Sequence, residues 1–145
     1  MTAIALLNQH LADMADLYSQ IKQAHWNVKG MQFFQLHELF DRLTGEVRNH
    51  VDLIAERSTA LGGTALGTVR MSAAASRISE YPLNLVDGRR HVEALTTRFS
   101  SLAKTTRAAI DSASAFGDAD IADVFTEVSR NLDRDLWFLE AHLAK

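Results

Sequence analysis

The sequence predicts an all-α fold, a four-helix bundle with one long crossover between its second and third helices. Three observations predict it. Four long segments carry apolar residues at helical spacing, and none alternates in the manner of a strand. Brief breaks join the first segment to the second and the third to the fourth, whereas LGGTALGTVRMSAAASRISEYPLNL separates the middle two. The single proline, Pro82, lies in that connection, where it interrupts no long helix.

The first helix is expected over roughly residues 3–28, with Leu7, Leu11, Met14, Tyr18 and Ile21 on one side. Lys29-Gly30 ends it, a cation in the last turn followed by a glycine stop. The second is expected over roughly residues 33–61, with Leu36, Phe40, Leu43, Val47, Ile54 and Leu61 in register, and Gly62-Gly63 as its stop. The crossover is expected to hold a short helix near residues 73–79 and to break at Tyr81-Pro82. The third helix follows from Asp87 to Ala115 through Val92, Leu95, Phe99, Leu102 and Ile110. FGDAD breaks it, and Asp118 or Asp120 is a natural N-cap for the fourth. That helix is expected to run to the chain end through Ile121, Phe125, Val128, Leu132, Leu136, Leu139 and Leu143. Short links make each pair an antiparallel hairpin, and the long connection crosses the bundle. This is the ferritin-like layout, in one domain over residues 1–145.

Composition narrows the chemistry. The chain has no cysteine, so disulfides, thiolate metal sites and cysteine nucleophiles are excluded. A net charge of −3 exerts no general pull toward nucleic acid, although a local basic patch remains compatible with it. No apolar run is long enough to span a membrane. MTAIALLNQHLADMADLYS lacks the basic start of a secretory signal, so a cytoplasmic location is expected.

The second helix contains HELFDRLTGEVRNHVDLIAE, with His37 and Asp41 near its start and Asp52 and Glu56 near its end. Taking His37 as zero, the other three fall at about 40°, 60° and 100° around the axis, on one face. Asp41 and Asp52 are nevertheless about 16 Å apart along it, too far to share one metal ion within a chain. A two-fold axis between Glu46 and Val47 resolves this. In an antiparallel pair of identical helices, residues whose numbers share a sum lie opposite each other, and both 37 with 56 and 41 with 52 sum to 93. One dimer would then carry two equivalent sites. Imidazole and carboxylates without sulfur suit Fe(II), Mn(II) or Zn(II). A plain solvated face is the competing reading, with Asp52 and Glu56 pairing Arg48 or Arg57. A site buried inside one bundle is disfavoured. The Glu-x-x-His pairs of di-iron bundles are absent, since Asn49, Thr96, Arg130 and Leu143 follow Glu46, Glu93, Glu127 and Glu140.

AHWNVKGMQFFQLHELFD, DLIAERSTALGGTALGT, the YPL of the crossover and LDRDLWFLE in the last helix resemble the Dps family. These are the mini-ferritins, or DNA-binding proteins from starved cells, and the resemblance extends over nearly the whole chain. It implies a hollow dodecamer that takes up Fe(II), oxidises it preferentially with hydrogen peroxide, and stores ferric mineral against oxidative stress. It implies ligands His25, His37 and Asp41 from one subunit with Asp52 and Glu56 from its neighbour. By itself His25 reads as a core or interface histidine, because it continues the apolar stripe of the first helix. The resemblance also gives Trp26, otherwise an interface residue, a role in electron supply. It places Asp118 and Asp123, with Asp120 as a further candidate, at pores through which Fe(II) enters. N-capping and helix-dipole complementation account for the same acidic turn. His50 reads as structural, with an accessory role at the site as the alternative. Lys22 is the first basic residue and HLAK adds only Lys145, so DNA binding is expected to be weak or absent; Arg89 and Arg90 are the surface cations that would supply any. Two further classes stay open: a DNA-compacting or structural shell with idle metal sites, and a shell that buffers zinc or manganese.

Overall fold

In the computed structural model, residues 1–144 are described. Five helices follow in order: α1 (Ala3–Asn27), α2 (Phe33–Ala60), α3 (Val69–Ala75), α4 (Gly88–Ala115) and α5 (Ala119–Ala141). No strand occurs among the described residues; a lone bridge joins Lys29 to Asp87. α1, α2, α4 and α5 form the bundle, and α3 lies in the crossover.

The boundaries follow from local chemistry. Thr2 caps α1, its hydroxyl accepting from the Ala5 N–H at 3.1 Å. Asp87 and Asp118 cap α4 and α5 in the same way, at 2.9 Å from the Arg90 and Ile121 N–H groups. Of the two capping candidates for α5, Asp118 is therefore the cap. Gly30 (φ 108°), Gly62 (φ 85°) and Gly117 (φ 77°) turn the chain after α1, α2 and α4 in the left-handed region that glycine tolerates. The interior is filled by Phe40, Phe99, Phe125, Met14, Leu17 and their apolar neighbours, all fully buried. At Gly88 a Cβ would collide with Leu36, so α4 enters the bundle directly against α2.

Two expected boundaries shift. The crossover helix is at 69–75, earlier than the expected 73–79. Thr68 caps it, and residues from Ser76 onward are extended because α1 claims them. Ser76 Oγ donates to Asp16 at 2.6 Å, and Arg77 donates to Asp13 from its backbone N–H (2.8 Å), Nε (3.0 Å) and Nη2 (2.6 Å). α5 ends at Ala141, with His142 as its C-cap, short of the chain end. Lys145 lies outside the described residues.

Asp13 is thus the main clasp of the crossover. It is fully buried, while Arg77 keeps about half of its side chain in solvent. Asp13→Ala should cost about 1–3 kcal/mol, the loss of several charge-assisted hydrogen bonds. The loss stays below that of a fully buried pair because the freed guanidinium is rehydrated. Urea unfolding measures it, and an unchanged midpoint would show that the crossover is anchored elsewhere.

Candidate metal centre

The turn between α1 and α2 brings His25 and His37 face to face, their rings stacked with centroids 3.8 Å apart and planes 13° from parallel. Each ring is locked by the other's backbone. His25 Nδ1–H donates to the His37 carbonyl at 2.7 Å, and His37 Nδ1–H donates to the His25 carbonyl at 2.8 Å. A carbonyl oxygen only accepts, so both Nδ1 atoms carry the hydrogen and both Nε2 atoms keep a lone pair when the rings are neutral. Backbone hydrogen bonding of this kind fixes the tautomer and orientation of a metal-binding imidazole. Phe33 backs the pair, 5.0 Å from the His37 ring centroid.

Asp41 stands one turn beyond His37 on α2 and is exposed. Lys22 of α1 holds its Oδ1 at 2.9 Å. The hydrogen bond from Lys22 and its charge keep the Asp41 carboxyl below the ordinary carboxylate range. Asp52 and Glu56 are exposed further along the helix. Arg57 is engaged instead with Asp120 at 3.5 Å, and Asp52 and Glu56 take part in no ion pair among the described residues. The pairing of Asp52 and Glu56 with Arg48 or Arg57, part of the competing reading of a solvated face, does not occur among the described residues. Within one chain no three His, Asp or Glu side chains converge on a metal position among the described residues. His37 and Asp41 lie near the start of α2, and Asp52 and Glu56 near its end. An exposed apolar margin flanks the histidine pair: Trp26 is 66% exposed, Phe34 65% and Met31 99%. Exposed apolar residues grouped in this way have the composition of an interaction surface.

Residues 4–145 match the ferritin-like domain family. The DNA protection during starvation protein of Agrobacterium fabrum is 45% identical over 98% of this chain and 88% of its own length. The chain belongs to the Dps family of ferritin-like proteins. The Dps crystal structure from Staphylococcus aureus superposes with a TM-score of 0.93 at 31% identity, covering 98% of this chain and 95% of that one. The Dps protein from Vibrio cholerae, described as a member of a broad superfamily of ferritin-like diiron-carboxylate proteins, has a TM-score of 0.91 at 27% identity, over 97% and 88% of the two chains.

The remaining expected residues of this Dps chain lie elsewhere. Asp118 directs Oδ1 to the Ile121 N–H, Asp120 pairs Arg57, and Asp123 is exposed on the first turns of α5. They share the α4–α5 turn and do not meet the histidine pair. His50 is buried, its Nε2 without a partner among the described residues. It faces a polar cavity of about 420 Å³ lined also by Glu46, Asn49, Glu127, Asn131 and Arg134. Burial pushes His50 down to about 4, so its ring is neutral at physiological pH. A structural role fits.

Sequence reading missed Lys22 and Asp135. Nothing along the chain pairs Lys22 with Asp41, because the contact joins two helices. Asp135 did leave a signal, a carboxylate set among Leu132, Leu136 and Leu139 on the buried side of α5. In the structure it is fully buried.

A cation bound at Asp41 would have to displace Lys22. Lys22→Ala should tighten Zn(II) binding by the iron-free protein up to about fivefold, the scale of an exposed ion pair. Calorimetric titration reads this, and unchanged affinity would show that the ammonium is no competitor.

Proposed function

We propose that this Dps protein is an iron-sequestering mini-ferritin whose oxidation sites form between two-fold-related subunits. The observation that carries the reading is the reciprocal His25–His37 lock, which presents two Nε2 lone pairs beside Asp41. Asp52 and Glu56, in no ion pair among the described residues, stand at the other end of the same helix face. In the pairing, His25, His37 and Asp41 of one subunit meet Asp52 and Glu56 of the second. The apolar margin of Trp26, Met31 and Phe34 packs around them.

Neutral imidazoles and anionic carboxylates bind Fe(II), and carboxylates favour the Fe(III) that oxidation makes. Hydrogen peroxide takes one electron from each of two ferrous ions and, with two protons, leaves as two waters, so no hydroxyl radical is released. Trp26 stands next to His25 to supply an electron when only one iron is present. Twelve copies close a hollow shell. The carboxylates of Asp118, Asp120 and Asp123, repeated around a three-fold axis, concentrate cations at its pores. The ferric product is stored inside. The relatives' names speak of DNA protection. Here oxidant removal would carry it, because a chain of net charge −3 offers few unpaired phosphate contacts, and DNA binding is weak or absent. The site of action is the cytoplasm, where ferrous iron and peroxide meet.

One chromatographic run tests this. The iron-free protein is loaded anaerobically with Fe(II), treated with hydrogen peroxide, and followed for mass and iron on a sizing column. The reading requires iron eluting with a shell of about a dozen chains, well above the number of ligand sites. A shell without retained iron leaves a structural role, and a monomer or dimer removes storage.

A further inference from the structure

The middle of α2 carries a glycine that the chain's own packing does not require. Gly45 is exposed, its φ is ordinary, and a Cβ there would meet no atom within 4 Å. Glycine weakens a helix interior, so its presence asks for a reason outside helix formation. Gly45 lines a recess of about 220 Å³ together with Tyr18 and Lys22 of α1 and Asp41, Thr44 and Arg48 of α2.

The recess has an excess of donors. The Lys22 ammonium has three N–H groups, and Asp41 Oδ1 is its one acceptor among the described residues. The Arg48 guanidinium is exposed and takes part in no ion pair among them. Tyr18 brings a hydroxyl. Against these stands one carboxylate, Asp41, with its second oxygen open. A ligand that satisfies the recess is therefore an anion with several acceptor oxygens and one O–H for Asp41.

We propose that the recess binds inorganic phosphate in its protonated forms. The P–O⁻ oxygens accept from Lys22 and Arg48, and a P–OH donates to Asp41. Sulfate has the same shape but no proton near neutral pH, so Asp41 repels it. The proposal deepens the function given above in one respect, which rests on that reading: in the two-fold pairing Gly45 faces residue 48 of the second copy. The second guanidinium then closes the recess over the bound anion. Phosphate held there lies next to Asp41, where ferric ion is formed, and its hard oxygens suit Fe(III).

The test uses the iron-free shell titrated calorimetrically with inorganic phosphate and, separately, with sulfate. Saturable phosphate binding is expected, with sulfate at least tenfold weaker. Arg48→Gln removes the recess's own guanidinium and the second copy's, and should weaken phosphate at least about tenfold; Arg48→Lys should weaken it less. Absence of saturable phosphate binding, equal binding of sulfate, or full phosphate affinity in Arg48→Gln would each overturn the proposal. If Arg48→Gln fails to assemble, the phosphate–sulfate comparison on the unmodified shell and the Arg48→Lys titration decide it. No iron is present, so a negative result leaves the oxidation site standing, and loss of the oxidation site leaves this result readable.

Discussion

Replacing Asp52 and Glu56 together by alanine is expected to slow peroxide-driven Fe(II) oxidation at least about a hundredfold while the shell stays assembled. Both side chains are exposed and engaged in no ion pair among the described residues, so the fold gains little from them. In the proposed two-fold pairing, their removal takes away the anionic half of each site. The histidine half stays intact, since the stacking and backbone bonds of His25 and His37 do not involve them. Two neutral imidazoles and Asp41, itself held by Lys22, supply too little negative charge for a pair of ferrous ions. The readout is the initial rate of ferric absorbance after peroxide addition, on protein that sizes like the unmodified shell. An unchanged rate would place oxidation elsewhere and dissolve the two-fold reading of α2.

Asp135→Asn is expected to stabilise the protein at alkaline pH and to flatten its stability profile. Asp135 is fully buried between α5 and α2, and burial together with the hydrogen bond and charge of Glu46 pushes its carboxyl up to about 8 from an ordinary 3.8. Arg134 lies 3.8 Å away, beyond hydrogen-bond reach, and its stronger contact is with Glu46 at 2.7 Å. At neutral pH the Asp135 carboxyl therefore keeps its proton, since neither of its oxygens has a hydrogen-bond donor among the described residues to hold the charged form. The folded state holds a proton that the unfolded state has released, so stability falls as pH rises from about 4 to about 8. Asparagine keeps the shape and an N–H for Glu46 without a proton to lose. The thermal midpoint of the variant should match the unmodified protein near pH 4 and exceed it by about 5 °C or more at pH 8. Parallel midpoint–pH curves would show that the carboxyl ionises without cost in the fold.

Asp135 also shows where sequence reading stops. Helical periodicity put it on the buried side of α5, but only the packing of α5 on α2 set Glu46 against it. The same holds for the crossover. Its composition announced a connection with a short helix, yet Asp13 and Asp16 of α1 decided which residues stayed extended, and so moved the helix to 69–75. Lys22 was invisible for the same reason, since its partner lies on another helix.

Properties that repeat along one helix were legible from the residues alone. The four long helices and the single face shared by His37, Asp41, Asp52 and Glu56 follow from an angle and a rise per residue, and the glycine stops of α1 and α2 and the aspartate cap of α5 from local backbone chemistry. These are local, so tertiary packing had little to change. His25 required more, because its role depends on a ring stacked across a turn and on two carbonyls that fix its hydrogen. Contacts between helices depend on crossing angle and on which side chains interdigitate, and a hydrophobic stripe specifies a face without specifying its partner. The sequence by itself determined the bundle and the face that carries the candidate ligands; only the tertiary structure decided which imidazole nitrogens are tied to backbone and which side chains meet across helices.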